Sequence, residues 1–383
     1  MQTPPLAVIP YWRLSFFYFF YFGLLGAWLP FWPLYLQALE FSAKQMGVLA
    51  GIMMATKIIA PNIWGWIADY SGKRLAVIRL GGLLSFVIFA SVFLTTDFLH
   101  LCIIVAGFSF FWNAILAQFE VLTLDYLHSQ SERYSLIRVW GSVGFILAVV
   151  ALGWVFDSFS INFLPVFLLL ILLGIWLSSL CVSEPVETNT HHHAEPTSIK
   201  SILTQPSIIA FFSCCFLLQL SHGAYYTFFS LYLKNHDYSN VSIGLLWSLG
   251  VLAEVVVFTF MHHLLVRFSL RHIMLASLLL SAIRWLLIAY YPDNIVLLLF
   301  AQCLHAASFG TFHAFAVEVI RRCFSGGHQG QGMALYSGVS YGAGGAGGAV
   351  ISGWIWDIDP VMTFVAAALM CIVAFFIGLR VRL

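Results

Sequence analysis

The sequence predicts an all-α membrane protein with twelve membrane-spanning helices. Two observations carry this prediction: the composition of the chain and the length of its apolar runs. Of 383 residues, 61% are hydrophobic and only 9% are charged, and the mean hydropathy is +0.93, whereas soluble proteins carry about 25% charged residues. A soluble surface needs more charge than this, and the net charge of +1 gives no indication of a nucleic-acid partner. We therefore expect the chain to lie in a lipid bilayer.

Twelve apolar runs reach the roughly 20 residues that a helix needs to cross a bilayer. The runs are 12–39, 45–68, 75–96, 99–125, 138–157, 162–182, 207–233, 241–265, 272–291, 294–320, 334–356 and 360–380. We expect no cleavable signal peptide, because the first run is too long for the apolar core of a signal and no A-x-A pattern follows it.

Lysine and arginine are distributed unevenly between the connections on the two sides of the predicted spans. If both termini are cytoplasmic, thirteen of the 17 basic residues lie in cytoplasmic connections and only Lys44 and Lys234 in the outer ones. Lys57 and Arg284 fall inside spans. Because basic residues concentrate in cytoplasmic loops, the sequence predicts that both termini are cytoplasmic.

One long polar segment, SEPVETNTHHHAEPTSIK, separates the first six runs from the last six. We predict two six-helix bundles, 1–183 and 207–383, joined by a cytoplasmic linker, 184–206. His191–His193 lie in this linker and are interpreted as solvated residues, since no other metal ligands converge there.

An internal repeat supports the two bundles. A shift of 200 residues aligns 138–157 with 338–357 and places GWVFD beside GWIWD at the ends of the fifth and eleventh spans. Internal repeats of this kind are typical of secondary transporters.

The segment GWIADYSGKR, which ends the second span, resembles the cytoplasmic signature of the major facilitator superfamily. The matching residues are Gly65, Asp69, Gly72, Lys73 and Arg74. A glycine permits close approach of helices, the aspartate can cap a helix or pair with a basic group, and the basic pair holds the loop at the cytoplasmic face. The resemblance implies that this loop stabilises one conformation during alternating access. A plain positively charged loop is the alternative.

Ionisable residues within the spans are the strongest functional signal, because a charge at the centre of a bilayer costs at least about 2.5–3.5 kcal/mol. They are Lys57, His222, Glu254, Arg284, His305 and His313, with Glu318 nearer the cytoplasmic end. Glu120 and Asp125 lie close enough to the cytoplasm to pair with loop arginines, and we interpret them as structural.

Glu254 and Arg284 occupy consecutive spans at a similar depth and could form an ion pair. A buried carboxylate beside an arginine and histidines can bind and release a proton near neutral pH if the pair opens. A permanent structural pair is the alternative, and His222, His305 and His313 could each serve only as hydrogen-bonding groups. Lys57 is too deep to reach the interface, so we predict that it pairs with a carboxylate of the protein or of the substrate.

Aromatic residues make up 17% of the chain, and most are expected to face lipid. Tyr18, Tyr21, Tyr225 and Tyr226 carry hydroxyl groups at depth, so we predict that they contact a flat substrate.

Four blocks of sequence are similar to the 3-phenylpropionate permease family within the major facilitator superfamily. They are LLQLSHGAYYTFFSLYL with YSNVSIGLLWSLGVLAEVVVF in spans seven and eight, IRVWGSVGF in span five, and QCLHAASFGTFHA in span ten. The resemblance implies the major facilitator fold, a bacterial inner membrane location and import of a solute together with a proton.

The same resemblance extends to the galactoside–proton symporters, in which an acid, an arginine and a His/Glu pair on spans eight to ten handle the proton. Here Glu254, Arg284, His305, His313 and Glu318 occupy those helices, with a different spacing in span ten.

We therefore predict a monomeric proton symporter that imports a small organic solute, such as the aromatic monocarboxylate 3-phenylpropionate, with no cofactor or metal. Glu254 would carry the proton and Arg284 would adjust how readily it does so. Lys57 or Arg284 would bind the substrate carboxylate, and His222 would line the cavity. A sugar, oligosaccharide or nucleoside symporter is the alternative within the class. A membrane-embedded enzyme would need a His-Asp or metal cluster at the membrane surface, which the sequence does not indicate.

Overall fold

The computed structural model describes residues 9–184, 199–324 and 328–381, and all regular structure within these ranges is helical. Most of the polar segment that holds His191–His193 lies outside the described residues. The α-helices are α1 (Tyr11–Ala38), α2 (Ala43–Ser71), α3 (Arg74–Ala90), α4 (Phe98–Leu127), α5 (Tyr134–Ser158), α6 (Leu164–Leu180), α7 (Lys200–Leu203), α8 (Pro206–Asn235), α9 (Asn240–Arg267), α10 (Leu270–Tyr290), α11 (Ile295–Cys303), α12 (Phe312–Cys323), α13 (Gln329–Tyr336), α14 (Gly345–Trp356) and α15 (Pro360–Gly378). Short 3-10 segments occur at Ser91–Leu94, His128–Arg133 and Ile161–Phe163.

Two wider, π-helical segments interrupt the helical runs of the second half. One, Ala306–Thr311, joins α11 to α12, and the other, Ser337–Gly344, joins α13 to α14. Because π-helical turns are rare and frequently occur at functional sites, these two segments mark the region where a site is expected.

Eleven helical runs in the described residues are long and apolar enough to cross a membrane. The run from α13 through α14 contains the predicted span 334–356 but is not among the eleven, in keeping with its many glycine, serine and tyrosine residues. The count of twelve spans and the cytoplasmic orientation of the termini therefore remain predictions.

Packing divides the described chain into two units. The first unit comprises 9–28, 60–148 and 163–184; the second comprises 29–59, 149–162, 199–324 and 328–381. Since the boundaries cut α1, α2 and α5, each of these helices contributes one end to each unit. The two bundles predicted on either side of the linker remain a prediction.

Within the first unit, α3 packs against α4 and α6, and within the second, α8 packs against α14 and α15. The contact between α8 and α14 depends on Gly223 and Gly348, where the backbones approach so closely that a Cβ atom has no room. Small residues at such crossings permit tight packing in membrane proteins.

Side-chain caps define where helices of the second unit begin. The hydroxyl groups of Ser239 and Ser269 accept hydrogen bonds from the first turns of α9 and α10, which satisfies donors that have no partner within the helix. These starting points place Glu254 near the middle of α9 and Arg284 in the second half of α10.

Candidate functional site

The predicted cytoplasmic signature forms a connected structure in the first unit. Asp69 and Arg74 form an ion pair with an Oδ1–Nη2 distance of 2.8 Å, and Arg74 Nη1 donates to Gln118 Oε1 on α4, also at 2.8 Å. Gly72 has a φ of +65°, which favours glycine. A Cβ atom at Gly65 would lie 3.4 Å from the side-chain nitrogen of Gln118. The loop is therefore tied to α4, while its part in a transport cycle stays a prediction.

The main cluster of ionisable groups lies in the second unit, where α9 packs against the first π-helical segment. Glu254 Oε1 and His305 Nε2 are 2.7 Å apart, and their side chains are 14% and 8% exposed. His305 directly precedes the π-helical segment. We call Glu254, His305, His222, Arg284, Gln302, Ser308 and Tyr225 the Glu254 cluster.

Arg284 is completely buried. Its guanidinium donates to Ser308 Oγ at 3.1 Å and to Gln302 Oε1 at 3.5 Å, and lies 4.2 Å from the ring centre of Tyr225 and 4.4 Å from that of Trp285. Its charge is stabilised by aromatic faces and neutral acceptors.

An ion pair between Glu254 and Arg284 therefore stays a prediction, and the charged contact that the structure gives for Glu254 is with His305. The sequence did not indicate His305 as the partner of the Glu254 carboxylate. Sequence spacing gives depth along a helix, whereas the direction of His305 depends on the local helix geometry.

The Glu254 cluster contains buried polar atoms that lack a hydrogen-bond partner in the described part of the chain. His222 Nδ1 donates to Leu218 O at 2.8 Å, which leaves Nε2 as an acceptor. The atoms without a partner are His222 Nε2, His305 Nδ1, Arg284 Nε and Gln302 Nε2. Each such atom costs about 1–3 kcal/mol, so this concentration is more typical of a functional site than of a structural core.

A second polar group adjoins the second π-helical segment and includes one predicted residue, His313. Its Nδ1 lies 3.2 Å from Tyr336 Oη and 3.1 Å from Tyr341 Oη, and the two hydroxyl groups are 3.2 Å apart. We call these three residues the tyrosine triangle. The ring of Phe309 stacks beside that of His313, with centres 6.4 Å apart.

Of the other predicted residues of the second unit, Tyr226 adjoins the Glu254 cluster, while Lys57 and Glu318 lie on α2 and in α12. Lys57 is half-buried on α2, and among the described residues it has no carboxylate within 4.0 Å. The ring of Tyr226 lies 5.6 Å from that of His222. Glu318 forms ion pairs at 2.7 Å with Arg321 and Arg322 in the last turns of α12, so local arginines already balance its charge.

Tyr18 and Tyr21 belong to the first unit. Tyr18 Oη donates to Thr123 Oγ1 at 3.1 Å, and Tyr21 stacks on Trp112 with ring centres 4.8 Å apart. Both side chains are buried in this conformation, and their contact with a substrate stays a prediction.

A group that the sequence analysis did not assign to a site lies near Tyr18. Tyr134 Oη donates to Glu120 Oε1 at 3.2 Å, and the Arg138 guanidinium lies 3.6 Å from the ring centre of Phe22. Among the described residues, no ion pair within 4.0 Å joins Glu120 to an arginine. Arg138 is one of the thirteen basic residues assigned to cytoplasmic connections, because it stands at the edge of an apolar run, but it lies in the second turn of α5.

In the second unit, the sequence analysis missed Gln302, Ser308, Tyr336 and Tyr341. Gln302 and Ser308 are polar residues within an apolar span, and this unusual position could have identified them as site residues. The two tyrosines lie in or beside the stretch SGVSYGAGGAGG, whose many small residues indicate close helix packing rather than a polar site.

Comparison with known proteins identifies the family. A family model described as the MFS_1 like family matches residues 11–366. The chain belongs to the MFS_1-like family. It is therefore a multi-pass membrane transporter, and its relatives and fold are those of transporters rather than of enzymes.

Two relatives of this MFS_1-like protein cover almost the whole chain. It is 25% identical over 370 residues to a probable 3-phenylpropionic acid transporter of Escherichia coli, which covers 96% of this chain and 97% of that protein. It is 26% identical over 355 residues to a maltose permease of Geobacillus stearothermophilus, with coverages of 91% and 89%. The resemblance to the 3-phenylpropionate permease family is thereby confirmed.

Solved structures show the same fold. The nucleoside transporter NupG superimposes with a TM-score of 0.84 at 16% identity over 97% of this chain and 98% of that chain. A bacterial homologue of the human lysosomal transporter Spinster gives a TM-score of 0.76 at 14% identity, with coverages of 100% and 99%. The major facilitator fold predicted from the sequence is shared with these transporters.

Proposed function

We propose that this MFS_1-like transporter is a proton-coupled symporter of the bacterial inner membrane that imports an aromatic monocarboxylate such as 3-phenylpropionate by alternating access. The observation that carries the proposal is the buried 2.7 Å contact between the Glu254 carboxylate and the His305 imidazole, beside Arg284.

The charges of the Glu254 cluster support proton coupling. With His305 neutral, the carboxylate of Glu254 and the guanidinium of Arg284 balance each other. One added proton, on Glu254 or on His305, leaves the cluster with a net charge of +1. A low-polarity interior penalises that net charge, so the protonated cluster favours the arrival of an anion. Entry of a proton with a monocarboxylate is neutral overall, which is the physical basis of the proposed coupling.

The substrate carboxylate would be bound by Lys57 or Arg284, the two basic residues of the second unit that fall inside predicted spans. Tyr225 and Tyr226 would contact the aromatic ring. The relative in Escherichia coli supports this substrate class. Glu318 and His313 remain candidates for proton transfer.

A sugar or nucleoside symporter is the second candidate, because hydroxyl and amide groups suit hydroxylated solutes. The side chains of Gln302, Tyr336 and Tyr341 supply such groups. The maltose permease relative supports this alternative.

Uptake by proteoliposomes tests the proposal. We expect labelled 3-phenylpropionate to accumulate when an inward proton gradient is imposed, and not when a protonophore removes the gradient. Excess unlabelled benzoate analogues should compete, whereas maltose and uridine should not. Accumulation of maltose or uridine instead would favour the second candidate, and accumulation without a gradient would contradict proton coupling.

Replacement of Lys57 by alanine tests the anion contact. Loss of a charge-assisted contact costs about 1.5–3 kcal/mol, so we expect KM for 3-phenylpropionate to rise about 10- to 100-fold. Lys57→Arg, which keeps the charge, should give an intermediate KM. Lys44→Ala removes an exposed cation of α2 and serves as the control. If Lys57→Ala and Arg284→Ala both transport 3-phenylpropionate normally, the carboxylate assignment is wrong.

A further inference from the structure

The end of α5 and the start of α9 cap each other in the second unit. Asp157 Oδ1 accepts a hydrogen bond from the Asn240 backbone N–H at 2.7 Å, and Oδ2 accepts one from the Val241 N–H at 3.2 Å. In return, Asn240 Nδ2 donates to Phe156 O at 2.7 Å. The carboxylate thus neutralises the positive end of α9, and the amide satisfies a carbonyl at the end of α5.

The backbones of the two helices touch beside these caps. A Cβ atom at Gly153 would lie 2.6 Å from Asn240 O, and one at Gly244 would lie 2.6 Å from Val149 O. The caps therefore stabilise a crossing of α5 and α9 that is too tight to accept a Cβ atom at Gly153 or Gly244. We call the face of the second unit where α5 ends and α9 begins, together with the side of the membrane that this face meets, the latch side.

The internal repeat produces an equivalent crossing between α14 and α2, also in the second unit. A Cβ atom at Gly353 would lie 2.6 Å from Ala43 O, and one at Gly47 would lie 2.6 Å from Ala349 O. The shift of 200 residues that aligns Gly153 with Gly353 also aligns Asp157 with Asp357.

The polar contacts at this second crossing differ. The first turn of α2 is capped by its own residues, since Ser42 Oγ accepts from the Gln45 N–H and Gln45 Oε1 from the Ser42 N–H. Asp357 instead lies 4.0 Å from Lys44 Nζ, and both side chains are exposed. Exposed ion pairs of this length contribute little. The α5–α9 and α14–α2 crossings therefore have similar close backbone contacts, but hydrogen bonds between the helix ends stabilise only the first.

We propose that Asp157 and Asn240 form the latch that keeps the latch side closed, and that the latch must open once in each transport cycle. Asp157 is then a positioning residue: it contacts no substrate but sets how often the ends of α5 and α9 separate. The α14–α2 crossing closes by packing alone and contributes much less to the closed state. The proposal rests on the alternating access proposed above.

Hydrogen–deuterium exchange of the full-length protein in lipid nanodiscs tests the latch without any substrate. In Asp157→Ala, we expect the amides of Asn240 and Val241 to exchange at least about tenfold faster, because their acceptor is gone and the helix ends separate more often. The backbone amides at the end of α5 should also exchange faster. Asp157→Asn, which keeps one acceptor oxygen, should give an intermediate rate, and Asp357→Ala should leave these amides unchanged.

Asn240→Ala tests the same latch from α9 while leaving Asp157 in place. It should accelerate exchange at the end of α5 and in the first turn of α9. Unchanged exchange at both helix ends in Asp157→Ala and Asn240→Ala would overturn the proposal, as would an equal acceleration in Asp357→Ala.

A transport readout separates a latch from a merely structural contact. When the closed state is less populated, substrate offered on the latch side meets a larger open fraction, so Asp157→Ala should lower KM on that side. A structural contact would reduce the amount of folded protein without changing KM. If no tested solute is transported, the proposed function fails, but the exchange measurements still decide the latch.

Discussion

Glu254→Gln is expected to abolish proton-driven accumulation of substrate. Glutamine has nearly the size of glutamate but cannot bind and release a proton, and it replaces the carboxylate that lies 2.7 Å from His305 Nε2 with a neutral amide. The cluster would then carry the fixed positive charge of Arg284 with no carboxylate to balance it. We expect accumulation under a proton gradient to fall at least about tenfold, to the level seen without a gradient.

Counterflow distinguishes loss of coupling from loss of the protein's function as a whole. Proteoliposomes loaded with unlabelled substrate should still take up labelled substrate through Glu254→Gln, because exchange needs no net proton movement. Loss of both activities would show that Glu254 is needed for substrate binding or for folding, and would contradict its assignment as the proton carrier.

Glu318→Gln is the informative comparison, since both residues are acids in helices of the second half. Glu318 is held by Arg321 and Arg322 near the end of α12, so we expect this variant to retain proton-driven accumulation. If it loses accumulation while keeping counterflow, Glu318 belongs to the proton pathway, as the resemblance to galactoside symporters implied.

The sequence predicts the positions of the spans well because a bilayer imposes a length on each apolar run. The runs 12–39 and 207–233 correspond to Tyr11–Ala38 and Pro206–Asn235 within a few residues. The internal repeat likewise identified Gly153 and Gly353, which lie at two equivalent helix crossings.

The partners of the site residues could not be predicted in the same way. An apolar run fixes the depth of Glu254 and Arg284, but not the direction in which each side chain points. The π-helical segment after His305 alters the usual angular spacing of residues in that span, and nothing in the apolar pattern indicates it. The glycines around Tyr341 indicate helix packing and give no sign of a polar site, although Tyr341 lies within the second π-helical segment.

Arg284→Met is expected to eliminate uptake without destabilising the protein. The guanidinium is completely buried, and its contacts are the neutral acceptors Ser308 and Gln302 and the rings of Tyr225 and Trp285. Burial of such a charge costs several kcal/mol, and a well-packed apolar replacement is often neutral or stabilising. Its neighbours keep other partners, because Gln302 still accepts from Tyr225 and Ser308 still donates to His305 O.

We therefore expect the thermal unfolding midpoint of Arg284→Met in detergent to equal or exceed that of the unmodified protein, while uptake under a proton gradient falls at least about 100-fold. Arg284→Lys should recover little uptake, since one ammonium group cannot donate to both Gln302 and Ser308 while lying over Tyr225. Arg271→Ala, which removes an exposed arginine that donates to Leu379 O, is the control for loss of positive charge from α10. A midpoint that falls together with uptake in Arg284→Met would assign Arg284 a structural role. A stable but inactive variant would show that the cost of burying this charge is retained for transport, because folding alone would not require it.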